Sequence, residues 1–341
     1  MAARILILIA MLAGSGSLRA ELVGNWDFGT GSLAAVESLP GVALQYLPDT
    51  PIYQSAGGPP DPPPLQFGSP QSFGIATLGS ATTPVLRMPD MRDYGVATGL
   101  LASFPLLANG SIPGGDPATK LNRYTLVMDM LVPASTFAEP PNYLTIFQPR
   151  GNADGALFVR KPSRQIGATV AYGGEIQPDT WHRIAVVMEL DNATNEPRYE
   201  TYLDGAKVGE IIWDEIIPDN PRDQDLKDLD LIPDGLWSIA ALADTSPLLP
   251  TDRSGFFALN DNSGELGLSY LANMQFRSEA LSSLAVAALG GPAAGPIPVP
   301  EPSGLGVLAA AAGLAARRIR SPDRRAGQAA LGIAVPAGPR R

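Results

Sequence analysis

The stretch "TWHRIAVVMEL", from Thr180 to Leu190, decides the fold of this chain. Side chains alternate between the two faces of a β-strand. One face therefore carries His182, Ile184, Val186, Met188 and Leu190, and the other carries Trp181, Arg183, Ala185, Val187 and Glu189. Because the middle of the stretch is apolar on both faces, we expect it to be a central strand of a sheet.

Two neighbouring stretches extend this sheet. "YETYLDGAKVGE", from Tyr199 to Glu210, places Asp204-Gly205 between two strand-like runs, and Asp-Gly is favoured in two-residue type I′ hairpins. "YTLVMDM", from Tyr124 to Met130, alternates as a half-buried strand would. Further short strands are expected at Leu22–Phe28, Leu144–Phe147, Ala156–Val159, Ile166–Ala171, Leu236–Leu242, Phe256–Leu259 and Tyr270–Phe276. Many short strands separated by turns predict an all-β, antiparallel β-sandwich.

Composition limits the classes of function. The chain has 341 residues, no cysteine and a formal net charge of -10. Seven of its arginines lie in residues 317–341, so the body is more acidic than the total suggests. An acidic body repels phosphates, which argues against a nucleic acid partner. The lack of cysteine excludes disulfides, thiolate metal sites and cysteine nucleophiles.

The N-terminus has the layout of a secretory signal peptide. In residues 1–20, Arg4 precedes an apolar run, and small residues precede a cleavage position after Ala20. The alternative is an uncleaved membrane anchor, but the apolar run is shorter than the roughly 20 residues that a span requires.

The C-terminus combines three elements in order. Val299-Pro300-Glu301-Pro302 precedes a run without charges, residues 303–316, and Arg317, Arg318 and Arg320 follow. A helix of this run would be about 21 Å long, against roughly 30 Å of hydrocarbon. It is either a weak stop-transfer segment, held by the arginines, or a buried Ala-rich helix.

These C-terminal residues resemble the PEP-CTERM sorting signal of Gram-negative bacteria that make extracellular polysaccharide. The resemblance implies processing by an exosortase-type enzyme, transient residence in the inner membrane, and delivery to the cell surface or matrix. The chain departs from that family by continuing past the arginines as a basic tail, residues 321–341.

The body resembles the laminin-G-like, concanavalin A-like jelly-roll group. The resemblance rests on a Trp-His-Arg entering a strand, an Asp-Gly hairpin about twenty residues later, and a late "QFR" strand before a short helix. It implies a jelly roll that binds glycans or proteins. We expect this domain to span residues 21–292, with a Pro-rich loop at 51–70, followed by a linker at 293–298 and the sorting signal at 299–320.

Catalysis has one candidate position. Glycosidases of this fold carry Glu-x-Asp-x-x-Glu, and Glu189-Leu190-Asp191 matches its first half, but Thr194 replaces the second glutamate. The two carboxyl groups of a retaining enzyme cannot both come from this strand. His182 is the only histidine, and its place in an apolar stripe favours a structural role over a ligand role.

Calcium is a possible cofactor at a loop. Asp261, Asn262 and Glu265 are hard oxygen donors around a Gly-containing turn, which is either a calcium site or only a hairpin turn. The acidic run 219–234 does not match an EF-hand loop, so a solvated acidic loop is the simpler interpretation.

Aromatic residues offer a candidate glycan site. Trp213, Trp237 and Tyr172 could form platforms for sugars, together with Trp26, or could fill the core. The sequence therefore predicts an exported, non-catalytic jelly-roll protein that binds a glycan or another matrix component. A polysaccharide-active hydrolase or lyase and a purely structural matrix protein remain alternatives.

Overall fold

The computed structural model describes residues 22–46, 64–90, 99–103, 120–121, 123–140, 142–148, 157–168, 171–189, 198–212, 239–240, 253–256 and 267–299. The chain divides into two compact units, residues 1–300 and 301–341, and every described residue belongs to the first. Within the described ranges all strand pairs are antiparallel and the helices are short. The predicted all-β class with antiparallel sheets is confirmed.

The larger sheet has nine strands among the described residues, numbered in chain order through the whole chain. They are β1 (Leu22–Asp27), β2 (Glu37–Ser38), β4 (Gln66–Gly68), β5 (Val85–Met88), β8 (Arg123–Leu131), β13 (Trp181–Glu189), β14 (Arg198–Leu203), β15 (Ala206–Ile212) and β18 (Ser269–Arg277). The order across the sheet is β15-β14-β13-β8-β18-β1-β2, and β4 and β5 extend it beside β18. As predicted, "TWHRIAVVMEL" supplies a central strand, β13.

The second sheet has seven strands in the described part of the chain. They are β3 (Ala43–Tyr46), β6 (Leu100–Ser103), β9 (Tyr143–Gln148), β10 (Leu157–Arg160), β11 (Gln165–Ala168), β12 (Ala171–Gly173) and β17 (Arg253–Phe256). Their order is β12-β11-β10-β9-β17-β6-β3. A separate pair is formed by β7 (Lys120–Leu121) and β16 (Ile239–Ala240). The strand predicted at Ile166–Ala171 forms in its first part, but β11 ends at Ala168, and Ala171 belongs to β12, which turns back to pair with β11.

The hydrophobic core joins the inward faces of the two sheets. Tyr124, Leu126 and Met128 of β8 pack in one cluster with Ile146 of β9 and Val159 of β10. This is the two-layer arrangement of a β-sandwich, in which each strand gives alternate side chains to the core. The Asp-Gly hairpin between β14 and β15 also forms as predicted, with positive φ at Asp204 (53°) and Gly205 (83°).

The centre of the outward face of the nine-stranded sheet is covered, contrary to the prediction of a half-buried strand at Tyr124–Met130. Thr125, Val127 and Asp129 on the outward face of β8 are fully buried. After β18 the chain returns across this face with helix α3 (Ser283–Leu289), whose N-cap is Ser282. Two shorter helices are α1 (Pro70–Phe73) and α2 (Ala134–Ala138), and Phe73 lies over the same face near Tyr270.

We call residues 279–299 the C-terminal strap. Leu281, Val286, Leu289 and Ile297 of the strap pack against Val127, Ala185, Val187 and Tyr202 of the sheet. Residues 293–298 were expected to be a linker, yet Ile297 is only 1% exposed and its carbonyl accepts hydrogen bonds from Asn25 and Gln275. Ile297 is therefore anchored on the body, whereas its neighbours Pro296, Pro298 and Val299 are exposed.

The two sheets meet along one side of the sandwich, where β12 contacts β15. Glycines make this approach possible. A Cβ on Gly173 would lie 1.7 Å from the Val208 carbonyl oxygen, and one on Gly209 would lie 3.2 Å from the Ala171 oxygen. A side chain at Gly173 would therefore force the two edge strands apart.

Candidate functional site

Tyr172, predicted to contact sugars, belongs to an aromatic cluster on the seven-stranded sheet. Its ring centroid lies 6.2 Å from that of Tyr143, and the Tyr143 ring makes an edge contact with Phe158 at 6.0 Å. Tyr143 and Tyr172 are half-buried, and none of the three residues belongs to the core cluster between the sheets. Tyrosine combines an apolar ring with a polar hydroxyl, so a half-exposed pair suits a ligand that has both kinds of surface.

The sheet register brings this cluster together. Phe158 of β10 and Tyr172 of β12 both pair with Gly167 of β11, which lies between them. A Cβ on Gly167 would clash with the Ala171 carbonyl oxygen, so the central position of the row Phe158-Gly167-Tyr172 requires glycine. The exposed Arg160 pairs with Tyr143, which adds a charged hydrogen-bond donor beside the rings. Aromatic walls with a few polar groups are the usual lining of a small-ligand site.

The other predicted aromatic residues have different outcomes. Trp213 and Trp237 lie outside the described residues. Trp26 is fully buried in the core, where its indole ring lies so close to Gly24 that a Cβ there would be 2.3 Å from the ring. Trp26 therefore fills the core and is no sugar platform.

The predicted calcium residues Asp261, Asn262 and Glu265 also lie outside the described residues, as does the acidic run 219–234. Within the described ranges, no group of three or more histidine, aspartate or glutamate side chains has the arrangement to hold a metal ion. Calcium at Asp261, Asn262 and Glu265 stays a prediction.

His182 has the structural role that its position in β13 predicts. Its Nδ1 lies 2.8 Å from Asp204 Oδ2, and its Nε2 accepts a hydrogen bond from the Gln177 backbone N–H at 3.0 Å. Asp204 also accepts a hydrogen bond from the Arg183 backbone N–H at 2.8 Å. Both ring nitrogens are thus used to tie the β14–β15 hairpin and the chain before β13 to the sheet.

Glu189, the residue that raised the glycosidase hypothesis, is part of an ion pair. Its carboxylate lies 2.7 Å from the Arg198 guanidinium, directly across the β13–β14 pairing. Asp191 and Thr194 lie outside the described residues. In the described part of this region, the Glu189 carboxylate is committed to a cross-strand salt bridge.

A buried polar network that was not predicted lies beneath the strap. Arg183 makes a bidentate ion pair with Asp129, with nitrogen–oxygen distances of 2.7 and 2.8 Å. Asn273 donates to the same carboxylate at 3.0 Å, and Arg183 also donates to the Leu289 carbonyl. A signal was present, because Asp129 and Arg183 share the outward face and pair directly in the β8–β13 register.

Burial perturbs several titratable groups in and next to the nine-stranded sheet. It raises the pKa of Tyr124 and Tyr199 well above the usual value, and it raises the pKa of Tyr202 together with a hydrogen bond to Glu200. Burial also lowers the pKa of Arg277 and raises the pKa of its neighbour Glu279. These shifts are typical of packed structural groups as well as of functional sites.

The predicted sorting residues lie almost wholly outside the described part of the chain. Val299 is described and exposed, whereas Pro300, Glu301, Pro302, Arg317, Arg318 and Arg320 are not described. None of the helices in the described ranges is long and apolar enough to span a membrane. The signal peptide at residues 1–20 and the tail at 321–341 are likewise not described.

Comparisons with known proteins give only remote structural similarity. No protein-family model matches the chain, and no curated protein matches it in sequence. The binding domain of botulinum neurotoxin serotype G matches 79% of this chain at a TM-score of 0.43 and 9% identity. The receptor-binding domain of the C/D mosaic botulinum neurotoxin matches 78% at 0.41 and 8%.

The binding domain of Paraclostridial Mosquitocidal Protein 1 matches 66% of this chain and 46% of its own length, at a TM-score of 0.35 and 10% identity. The chain spans 50% of the length of each of the two neurotoxin domains. Similarity at this level establishes neither a shared function nor a shared ligand, so the functional argument rests on the residues of this chain.

Proposed function

We propose that this chain is an exported, non-catalytic β-sandwich of the jelly-roll type that binds a glycan or another component of a polysaccharide matrix. The observation that carries the proposal is the aromatic cluster of Tyr143, Phe158 and Tyr172, with the exposed Arg160 beside it. Sugar rings present apolar C–H faces and polar edges, which match a half-exposed tyrosine pair beside a cationic donor.

The same proposal includes sorting by the C-terminal segment. An exosortase-type enzyme would process the chain at Pro300-Glu301-Pro302 during a transient stay in the inner membrane, and the product would reach the cell surface or matrix. Calcium bound by Asp261, Asn262 and Glu265 would assist glycan binding. What supports this part is the sequence pattern alone.

A hydrolase or lyase is the competing function, and the environment of Glu189 argues against it. A retaining glycosidase needs one carboxylate free to attack and a second as proton donor, about 5–5.5 Å apart. Glu189 is instead held by Arg198 at 2.7 Å. An ion-paired carboxylate is a weaker candidate for either role.

Glycan binding is tested with the chain from Glu21 to Val299 on a glycan array, with and without calcium. We expect Tyr172→Ala to weaken binding by about tenfold, or about 1.4 kcal/mol, because a stacking surface is lost. Tyr172→Phe is the matched control and should retain most of the affinity. Release of reducing sugars that Glu189→Gln abolishes would establish the hydrolase, and binding to no glycan would favour a structural matrix protein.

Sorting is tested separately in the native host by cell fractionation. Glu301→Ala, or deletion of residues 317–341, should leave the chain in the inner membrane or release it unsorted. An unchanged distribution at the cell surface would remove the sorting part of the proposal and leave the binding part intact.

A further inference from the structure

The C-terminal strap is held on the nine-stranded sheet by its buried apolar side chains and by hydrogen bonds to its backbone. Thr125 donates a hydrogen bond to the Glu279 carbonyl and accepts one from the Leu281 N–H, at 2.7 and 2.9 Å. Asn273 donates to the Ala293 carbonyl at 3.0 Å. The sheet side chains are buried, so they recognise the path of a peptide backbone more than a particular set of side chains.

The last part of the strap, residues 293–299, is anchored at Ala293 and again at Ile297. Asn25 and Gln275 both donate to the Ile297 carbonyl, at 3.1 and 3.0 Å, and the Ile297 side chain is buried. This combination of two amide donors and one apolar pocket is a built binding site for a short extended peptide. In this structure the site is occupied by the chain's own residues 293–299.

The fit between this site and its occupant is incomplete. The buried side-chain oxygens Asn25 Oδ1 and Asn273 Oδ1 have no hydrogen-bond partner. Pro296 and Pro298, on either side of Ile297, have no backbone N–H to donate. Buried acceptors without partners are unfavourable, so residues 293–299 can leave the sheet more easily than a fully bonded segment could.

Two consecutive glycines and Pro292 lie directly before this segment. Helix α3 ends at Leu289, and Gly290 has φ 63° and ψ -152°, a conformation that is essentially restricted to glycine. Gly291 follows it. Because Leu281, Val286 and Leu289 anchor the preceding part of the strap separately, a rotation at Gly290 and Gly291 would move residues 293–299 without unfolding α3.

We propose that this site also binds residues 293–299 of a second copy of the chain, so that copies become linked by exchange of their strap ends. The exchanged segment would make the same hydrogen bonds to Asn25 and Gln275 as it makes within one molecule, because backbone recognition does not depend on which molecule supplies the peptide. Exchange of an identical element is a low-cost route to association. It does not depend on a glycan ligand.

The test mixes two variants of the chain from Glu21 to Arg341. The donor variant, Asn25→Ala with Gln275→Ala, keeps an intact strap end but has lost the two amide groups that bind one. It can therefore only supply its strap end to another copy. The acceptor variant, Ile297→Asp, keeps the site but has a strap end that cannot occupy it. It can therefore only receive a strap end from another copy. Each alone should be monomeric, whereas a 1:1 mixture should form a species of twice the mass in sedimentation velocity.

A third variant serves as the matched control. It carries Asn25→Ala, Gln275→Ala and Ile297→Asp together, so it has no functional strap end. Its mixture with the acceptor variant, Ile297→Asp, should stay monomeric. A mixture of the acceptor and donor variants that also stays monomeric would overturn the proposal, as would equal association in the control mixture.

A second measurement uses the unaltered chain and does not depend on the folding of any variant. A fluorescent synthetic peptide of residues 289–299 is titrated with the full chain, and its anisotropy should rise and saturate as it replaces the internal strap end. The same peptide carrying Ile297→Asp should bind at least tenfold more weakly. Equal binding of the two peptides, or no binding at millimolar chain, would refute the exchange.

Discussion

Removing the carboxylate of Asp129 should unfold this domain more readily than any surface charge change. Asp129 is 0% exposed and Arg183 is 3% exposed, and two nitrogen–oxygen contacts of 2.7 and 2.8 Å join them. Asp129→Ala leaves the Arg183 guanidinium buried without its counter-ion. Breaking one partner of such a pair costs about 3–5 kcal/mol, a large share of the roughly 5–15 kcal/mol that stabilises a domain.

The assay is urea unfolding followed by tryptophan fluorescence, on the chain from Glu21 to Val299. With a slope of about 2–3 kcal/mol/M, the expected loss lowers the midpoint by about 1–2 M. The matched control is Glu175→Ala, which removes the ion pair with Arg164. The Arg164 side chain is 39% exposed and the Glu175 side chain is 47% exposed. Exposed pairs contribute about 0–1 kcal/mol, so the control midpoint should hardly move.

A double variant separates charge burial from the loss of packing. Asp129→Leu with Arg183→Met replaces both charges by apolar side chains of similar size, and such replacements are often neutral or stabilising. The double variant should therefore be more stable than Asp129→Ala. The reasoning fails if Asp129→Ala is no more destabilising than Glu175→Ala, since the pair would then contribute like a solvent-exposed one.

Three further outcomes are expected. Stability should fall as pH rises above about 10, because burial raises the pKa of Tyr124, Tyr199 and Tyr202 in the folded state and the unfolded chain loses these protons first. Tyr202→Phe should make this decline of the urea midpoint with pH less steep, and an unchanged decline would contradict the contribution of Tyr202. A chain that ends at residue 292 should be less stable than one that ends at 299 by about 1.5–3 kcal/mol in the same assay, because it loses the burial of Ile297. Equal urea midpoints would contradict the anchoring of Ile297 by Asn25 and Gln275. Gly173→Ala should lower the thermal midpoint by several degrees, because the new Cβ would lie 1.7 Å from the Val208 carbonyl oxygen. In the control Gly41→Ala the new Cβ has no atom within 4 Å, so this variant measures only the effect of a positive φ, 84°.

The strands and the hairpin were predictable because their signals are local. Alternation in residues 181–189 and the Asp204-Gly205 pair are each contained in a dozen residues, and they require no knowledge of the rest of the chain. The burial of Asp129 was not predictable in this way. Its polar side chain indicates solvent exposure, and only the strap, more than 140 residues further along the chain, covers it.

The candidate site was predictable only in part. Tyr172 could be selected as an aromatic residue in a strand-rich region, but its neighbours Tyr143 and Phe158 come from two other strands. Their proximity depends on the register of β9, β10, β11 and β12, which places Gly167 between Phe158 and Tyr172. Register between strands is a non-local property that a one-dimensional pattern specifies weakly.

The contact between β12 and β15 has a consequence for association with other chains. The outermost strand of a sheet normally offers unpaired N–H and C=O groups, which can recruit strands of other chains and start aggregation. Here Gly173 and Gly209 let the two edge strands lie against one another, so another chain's strand cannot easily pair with this side of the sandwich. A protein held at high local concentration can thus avoid uncontrolled β-sheet growth here through the absence of two methyl groups.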